Sequence, residues 1–325
     1  MLTQYLAQAT GLSTLEIERI ARSAPRRYKD YMIPKANGGH RLISHPAREV
    51  KALQRALVEW LSDKFPVHHC ATAYKKGGSI ALNADQHAQN GPIMKMDFRN
   101  FFPSIKSHDW IKFITENNFP LNEFDRELTR TILFHKRPSM PDLRLAIGAP
   151  SSPFISNIMM YDFDCYVHDK TKAEKITYTR YADDLTFSSA RAWNLRDVEP
   201  IIKKAVRDHA FSKLEINNEK TRVVTTKFRR IVTGVTLANQ GHISVGRNAK
   251  RELRAIMSRL SLRQTPKQNP SQIVGILGFL GSIEPKYLQS LKEKYGKDTF
   301  DFLYSLAGDL RTDNRQGQAD AATED

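Results

Sequence analysis

Two β-rich runs, Ile176-Thr177-Tyr178-Thr179-Arg180-Tyr181 and Leu185-Thr186-Phe187-Ser188, are separated only by Ala182-Asp183-Asp184. Residues of this kind read as strands, and so short a connection forces a hairpin with two acids at its tip. Adjacent carboxylates in a tight turn repel unless a cation sits between them or one keeps its proton. Because an Asp-Asp pair is ordinarily plain turn chemistry, a third acid is needed to give it function. Asp97 supplies a candidate: it closes the apolar run 92–98, in which Lys95 and Asp97 share one strand face while Met94, Met96 and Phe98 share the other. With that strand beside the hairpin, three carboxylates could hold two Mg²⁺ about 3.5 to 4 Å apart, activating an attacking hydroxyl and stabilising a leaving phosphate in nucleotidyl transfer.

The charge balance agrees with a phosphate-handling protein. Fifty Lys and Arg against thirty-five Asp and Glu leave +15 and a pI near 9.7, which argues for a polyanionic partner, nucleic acid or a membrane surface. With 40% hydrophobic residues, 325 residues supply one large core or two or three modest ones, so disordered and fibrous classes are excluded for the bulk of the chain. No apolar run reaches membrane-spanning length, and Met1-Leu2-Thr3-Gln4 lacks a basic-then-apolar signal, which predicts a soluble cytoplasmic protein with no membrane partner. Cys70 and Cys165 are too few for a disulfide framework and read as buried small hydrophobes. His68-His69-Cys70 shows no second ligand pair at metal spacing, which disfavours zinc.

Along the chain, residues 1–30 read as a helical extension, with Ser13-Thr14-Leu15-Glu16 as a capping box opening a helix through Arg22. A helix-turn-helix is conceivable there, but no base-reading pattern marks a recognition helix. Asn37-Gly38-Gly39 signals a hairpin turn flanked by Lys35 and Arg41. Helices follow over 50–61, 110–116 and 123–134, and a Pro-rich segment, 138–153, precedes a further helix through Cys165. Lys76-Gly77-Gly78-Ser79 lacks P-loop spacing and reads as a basic hairpin, and Gly275, Gly278 and Gly281 as positions allowing close helix packing. Between Arg247 and Arg263 stand six Lys or Arg and one acid, with Arg247, Lys250, Arg251 and Arg254 on one helical face beside the apolar Leu253, Ile256, Met257 and Leu260. That basic face suits phosphate binding. Residues 311–325 read as a disordered tail.

Tyr181-Ala182-Asp183-Asp184 resembles the signature turn of reverse transcriptases, preceded at family-like spacing by the first palm motif around Asp97. Gly148-Ala149-Pro150-Ser151-Ser152-Pro153, before Phe154-Ile155-Ser156-Asn157, resembles the loop and helix under the nascent base pair. The segment 214–221 resembles the next palm motif. Val232-Thr233-Gly234 is similar to the primer grip of one subgroup, and Asn83-Ala84-Asp85-Gln86-His87 to an element of that same subgroup, the bacterial retron reverse transcriptases. Lys294-Tyr295-Gly296-Lys297 resembles the end of a retron thumb. The resemblance spans roughly residues 14 to 300 with its motifs in order.

The resemblance implies an α+β right-hand polymerase fold: fingers and a ferredoxin-like palm over 31–240, then a helical RNA-binding thumb over 241–310. Asp97, Asp183 and Asp184 would be the catalytic, metal-holding acids for two Mg²⁺. Lys35 and Arg41 would clamp the triphosphate, and Phe98, Asn100, Phe101 and Gly148 would line the nucleotide pocket. Phe102 would exclude a 2′-hydroxyl, and Lys220 would protonate pyrophosphate. Ile147 stands where relatives commonly carry glutamine, which removes a side-chain amide from that pocket. The activity implied is RNA-templated DNA synthesis from deoxynucleoside triphosphates on a structured noncoding RNA, primed from a guanosine 2′-hydroxyl and yielding branched RNA-linked DNA (msDNA). A host RNase H would remove template, and an effector protein would join in antiphage defence. The alternatives are a group II intron or diversity-generating reverse transcriptase, or a noncatalytic RNA-binding relic.

Overall fold

Ser13 begins its helix as the capping box predicts: the hydroxyl accepts the Glu16 backbone N–H at 3.3 Å, and the Glu16 carboxylate accepts the Ser13 backbone N–H at 2.8 Å. The computed structural model describes residues 2–35, 38–138 and 140–308, so Asn37 of the expected turn and the tail 311–325 lie outside the described residues. Two compact units form, one from residues up to Ser79 with Asn90–Lys227, the other from Ile80–Gln89 with the residues from Phe228 on.

In the first unit, α1 (Leu2–Thr10) and α2 (Thr14–Ser23) send Leu2, Leu6, Ile17 and Ile20 into the same core as Leu53, Leu57 and Leu61 of α3 (Arg48–Ser62). Each such burial contributes about 1.5–3 kcal/mol, which makes the N-terminal helices part of the main body. Between them and α3, β1 (Tyr28–Pro34) and β2 (His40–Pro46) form an antiparallel hairpin with Ile33 opposite Arg41. The chain contributes α4 (Ile80–Asp85) to the second unit and returns as β3 (Ile93–Asp97), then α5 (Phe101–Ser104), α6 (Ser107–Glu116) and α7 (Glu123–Leu133). A short ribbon, β4 (His135–Lys136) with β5 (Leu143–Arg144), precedes α8 (Ser152–Met159), α9 (Tyr161–Ala173), β6 (Thr177–Tyr181), β7 (Asp184–Ser188), α10 (Val198–His209) and β8 (Arg222–Val224). The sheet order is β6-β7-β3-β8, all antiparallel. With helices between β3 and β6 and α10 between β7 and β8, this is the ferredoxin-like βαββαβ arrangement, with Asp97's strand at its centre.

One expected helix through Cys165 is instead two, interrupted at Met160. The reason lies in Arg180, whose side chain is fully buried. Its guanidinium forks onto Asp164 of α9, Nε to Oδ1 at 2.9 Å and Nη2 to Oδ2 at 2.6 Å, while Nη1 donates to Asn157 Oδ1 of α8 at 3.1 Å. Residues seven apart on a straight helix are roughly 10 Å apart along its axis, too far to converge on one guanidinium. The break at Met160 lets them meet.

In the second unit, α4 joins a sheet of order β11-β10-β9, from β9 (Arg230–Val232), β10 (Val235–Leu237) and β11 (Ile243–Ser244). α11 (Arg247–Ser261), α12 (Pro270–Ile283), α13 (Pro285–Tyr295) and a helix over 297–308 follow. α11 buries Leu253, Ile256, Met257 and Leu260, the face expected from their spacing. Of the three glycines expected to allow close packing, only Gly281 does so, a Cβ there meeting Leu288 at 3.1 Å; Gly275 and Gly278 face open space. Among the described residues no helix is long and apolar enough to cross a membrane.

Removing one partner of a buried, hydrogen-bonded ion pair strands the other charge. Asp164→Ala is therefore expected to lose about 3–5 kcal/mol of stability in urea unfolding, and the double variant Asp164→Leu/Arg180→Met to recover a substantial part of that loss.

Candidate active site

Register brings the three acids together. Asp97, last in β3, stands opposite Asp184, first in β7, and Asp184 also pairs with Tyr181 across the hairpin. The loop is thus only Ala182-Asp183, and Asp184 belongs to a strand rather than to the tip. Ala182 takes a left-handed φ of 58°, unfavourable for a residue with a Cβ. Two contacts hold it: Arg180 Nη1 donates to the Ala182 carbonyl at 3.2 Å, and the Phe98 N–H donates to the Asp183 carbonyl at 3.2 Å. The buried pair of the core thereby reaches the acidic turn directly.

The carboxylates carry the signature of an uncompensated cluster. Burial, then the neighbouring charges of Asp184 and Asp97, pushes Asp183 up to about 6. Asp184 is raised by burial and by Asp97, with which it shares a hydrogen bond. Lys220 Nζ donates to both Asp97 oxygens at 2.9 Å, an ammonium standing where the acids call for positive charge. Hard carboxylate oxygens of this kind suit a hard divalent cation. Among the described residues, the three acids do not close into one cluster of ligand atoms within 4.8 Å, as expected where the ammonium groups of Lys220 and Lys95 offset only part of the repulsion.

The other expected site residues divide. Phe98 and Phe101 are 1% and 3% exposed and stack on each other at 5.6 Å, so their side chains belong to the core and do not line a pocket. Strand alternation explains Phe98: it must face opposite Asp97. Asn100 is exposed in the left-handed region, φ 48°, where asparagine is tolerated, and caps α5. Phe102 is half-buried and faces Tyr74 at 6.5 Å, and Tyr74 in turn faces Tyr181 at 6.4 Å. Lys35 and Arg41 are exposed on the β1–β2 hairpin. Gly148, at φ +113°, lets its loop press on β2, where a Cβ would lie 2.8 Å from Ile43 and 2.9 Å from the Ser44 carbonyl. Ile147 contributes its carbonyl, which accepts the Ser44 N–H at 2.8 Å. Lys76-Gly77-Gly78-Ser79 is a turn rather than a hairpin of strands, Gly78 packing against the Thr72 carbonyl.

On α11, Arg247, Arg251 and Arg254 are exposed, as a phosphate-binding face requires. Lys250 is not available on that face. Its ammonium is bonded to Glu284 at the head of α13 and lies 4.7 Å over the Tyr287 ring, tying two helices together.

Sequence reasoning missed Tyr74 and Asn157. Tyr74 sits at φ 60° with 56% of its surface exposed, and the partial desolvation of its phenol, followed by the Asp183 charge, raises it. Its only sequence signal was an aromatic beside the Lys75-Lys76-Gly77 run. Asn157 also donates to the Ala73 carbonyl at 3.0 Å, joining that segment to the buried network. In the second unit, two motifs that looked independent meet: Asn83 Nδ2 lies 3.3 Å from Thr233 Oγ1 in the β9–β10 turn.

Residues 33–279 match the family described as reverse transcriptase (RNA-dependent DNA polymerase). The chain is 36% identical over 278 residues to the Retron Ec83 reverse transcriptase of Escherichia coli, covering 84% of this chain and 88% of that one. It is 31% identical to the Retron Ec73 reverse transcriptase of Escherichia coli (84% and 88% covered) and 30% identical to the Retron Mx65 reverse transcriptase of Myxococcus xanthus (89% and 70% covered).

The acidic cluster predicts a pH dependence in metal-free protein. Folded Asp183 keeps its proton up to about 6, whereas in the unfolded chain it ionises in the ordinary range near 4. Between those values the folded state binds more protons, so stability falls as pH rises from about 4 to 6 and stays at the lower level above it. Asp183→Asn removes the charge and is expected to raise metal-free stability at pH 7 by on the order of 2 kcal/mol. Thermal melts across that pH range, in the presence of chelator, check both expectations.

Proposed function

The chain belongs to the reverse transcriptase family, among the bacterial retron enzymes, and from that premise we propose that its RNA-directed DNA polymerase activity makes branched, RNA-linked single-stranded DNA on a structured noncoding RNA. The right-hand polymerase fold and the RNA-directed DNA polymerase activity are those of the family. The observation that carries the reading is the meeting of Asp97, Asp183 and Asp184 at adjoining ends of β3 and β7, with Asp183 pushed up to about 6 and Lys220 bonded to Asp97. Reverse transcriptases generally use divalent metal ions. Here the three carboxylates would hold two Mg²⁺, which when bound lower the pKa of the attacking hydroxyl and neutralise charge on the transferring phosphate.

In the reaction, a hydroxyl loses its proton to solvent as its oxygen bonds to the α-phosphorus of the deoxynucleotide, the bond from that phosphorus to the bridging oxygen breaks, and pyrophosphate leaves. Lys220 would exchange Asp97 for the phosphates and give pyrophosphate a proton. Lys35 and Arg41 would hold the triphosphate from the exposed hairpin, Phe102 with Tyr74 would bound the sugar against a 2′-hydroxyl, and Asn100 and Gly148 would border the nucleotide through their backbone. Phe98 and Phe101 would support this floor from the core. The first synthesis would start from a guanosine 2′-hydroxyl of the RNA. Arg247, Arg251 and Arg254 would bind an RNA stem by its backbone, since an A-form major groove is too narrow to read. We place the work in the cytoplasm, with a host RNase H removing template and an effector protein acting in antiphage defence.

Expression with the native upstream DNA tests this reading. The purified protein is expected to carry DNA joined to RNA through a branch, and the Asp183→Asn protein to carry RNA alone. Unbranched complementary DNA would retain the polymerase and discard branched priming. Arg251→Glu/Arg254→Glu is expected to weaken RNA binding by about tenfold or more in gel-shift titrations at fixed salt, with the metal-free pH profile of the carboxylate site unchanged.

A further inference from the structure

Away from the carboxylates, the first unit holds a second group of metal-ligating atoms. Side-chain donors of His68, His69 and Cys70 lie within 4.8 Å of one another. The sequence showed no partner for them, but α9 brings in His168 from 98 residues downstream, its Nδ1 3.3 Å from Cys70 Sγ. His69 Nε2 lies 3.4 Å from the same sulfur, and the His168 ring is 4.6 Å from that of His69 and 5.5 Å from that of His68. With Zn–S about 2.3 Å and Zn–N about 2.0–2.1 Å, the edges of a zinc tetrahedron are roughly 3.3–3.6 Å. Both sulfur-to-nitrogen distances already fall there, the thiol standing within hydrogen-bonding reach of both imidazoles in the metal-free protein.

The donors are held by separate, fixed elements. The Arg180 N–H donates to the Cys70 carbonyl and the Thr72 N–H to the Arg180 carbonyl, each at 2.8 Å, so the 68–72 segment is clamped along the edge of β6. His168 stands one helical turn from Asp164, the residue that fixes α9 to Arg180. His69 is exposed and His168 half-buried, which leaves a route from solvent, whereas Cys70 and His68 are buried. Lys75, bonded to the His69 carbonyl, opposes a cation; the thiolate formed on binding offsets it.

We propose that Cys70, His69 and His168, with His68 as fourth ligand, form a binding site for a divalent metal that favours thiolate and imidazole, Zn²⁺ first, clipping the 68–72 segment to α9. On binding, the Cys70 S–H bond breaks, sulfur bonds to the metal, and the proton goes to solvent. His68 gives up its long 3.3 Å contact to the Cys70 backbone N–H to complete the set. The clip lies four residues before Tyr74, so it also fixes the segment that carries this ring toward Asp183.

The test uses the full chain without a polyhistidine tag. Zinc-free protein in excess Mg²⁺, which occupies the carboxylate site, is titrated with Co²⁺ and, separately, with Zn²⁺, followed by analysis of the Co²⁺ or Zn²⁺ retained after desalting. The expected result is about one metal per chain, an intense thiolate-to-cobalt charge-transfer band, and a rise in melting temperature with Zn²⁺. Cys70→Ser is expected to lose the charge-transfer band, and His168→Gln to weaken Zn²⁺ binding by about tenfold or more, while Asp183→Asn binds as the parent does. Because His168 is half-buried, His168→Gln decides the matter even where Cys70→Ser fails to fold. Co²⁺ bound without a charge-transfer band, or equal Zn²⁺ affinity in His168→Gln, overturns the site.

Discussion

The bidentate pair between Arg180 and Asp164 is the interaction on which the first unit depends. Two fully buried charges are costly to desolvate, and they are tolerated because every side of the guanidinium is used: Asp164, Asn157 and the Ala182 carbonyl all accept from it, while the Tyr178 hydroxyl donates to Asp164 at 2.8 Å. Through those contacts one side chain sets the break between α8 and α9, the packing of α9 on the sheet, and the conformation of the acidic turn. Its backbone adds the 70–72 segment to the sheet edge. A hydrophobic replacement could be as stable, but it could not hold Ala182 in a left-handed conformation by donating to its carbonyl.

The acidic cluster costs stability in the metal-free protein. At one end of the sheet, burial and neighbouring carboxylates raise the proton affinity of Asp183 and Asp184, and Lys220 offsets only part of that repulsion. The cluster is tolerated because it stands on a sheet whose other face is deeply apolar, with Met94, Met96, Leu185 and Phe187 all buried. Stored repulsion of this kind favours cations over an empty site, as nucleotidyl transfer requires.

The second unit solves a different problem. Its helices α11 and α13 are rich in Lys and Arg, and they can pack together only if some of that charge is neutralised internally. Glu284 does this at the head of α13, accepting from Lys250, Ser244 Oγ and the Val245 N–H. Lys250 is thus committed to architecture, and the arginines at 247, 251 and 254 keep the outward charge. The Thr233-Gly234 turn, with φ of 46° and 85°, is held in the same unit by Asn83.

Much of this was legible from local pattern. The hairpin around Ala182-Asp183, the strand ending in Asp97, the capping box at Ser13 and the apolar face of α11 follow from periodicity and turn chemistry, which act over a few residues. The ordered motifs pointed to the family for the same reason, since each is a short local signature. What local pattern cannot carry is which distant residues share a space. Phe98 and Phe101 read as pocket and proved to be core, Lys250 read as RNA-facing and proved to be bonded to Glu284, and His68-His69-Cys70 read as partnerless until α9 supplied His168. The sequence by itself determined the acids, their strands and the reaction class, because those depend on residue type and nearest neighbours. Only the tertiary structure decided which charges are free, which are spent on packing, and that two histidines and a cysteine gain a third imidazole, because burial and pairing depend on side chains brought together from far along the chain.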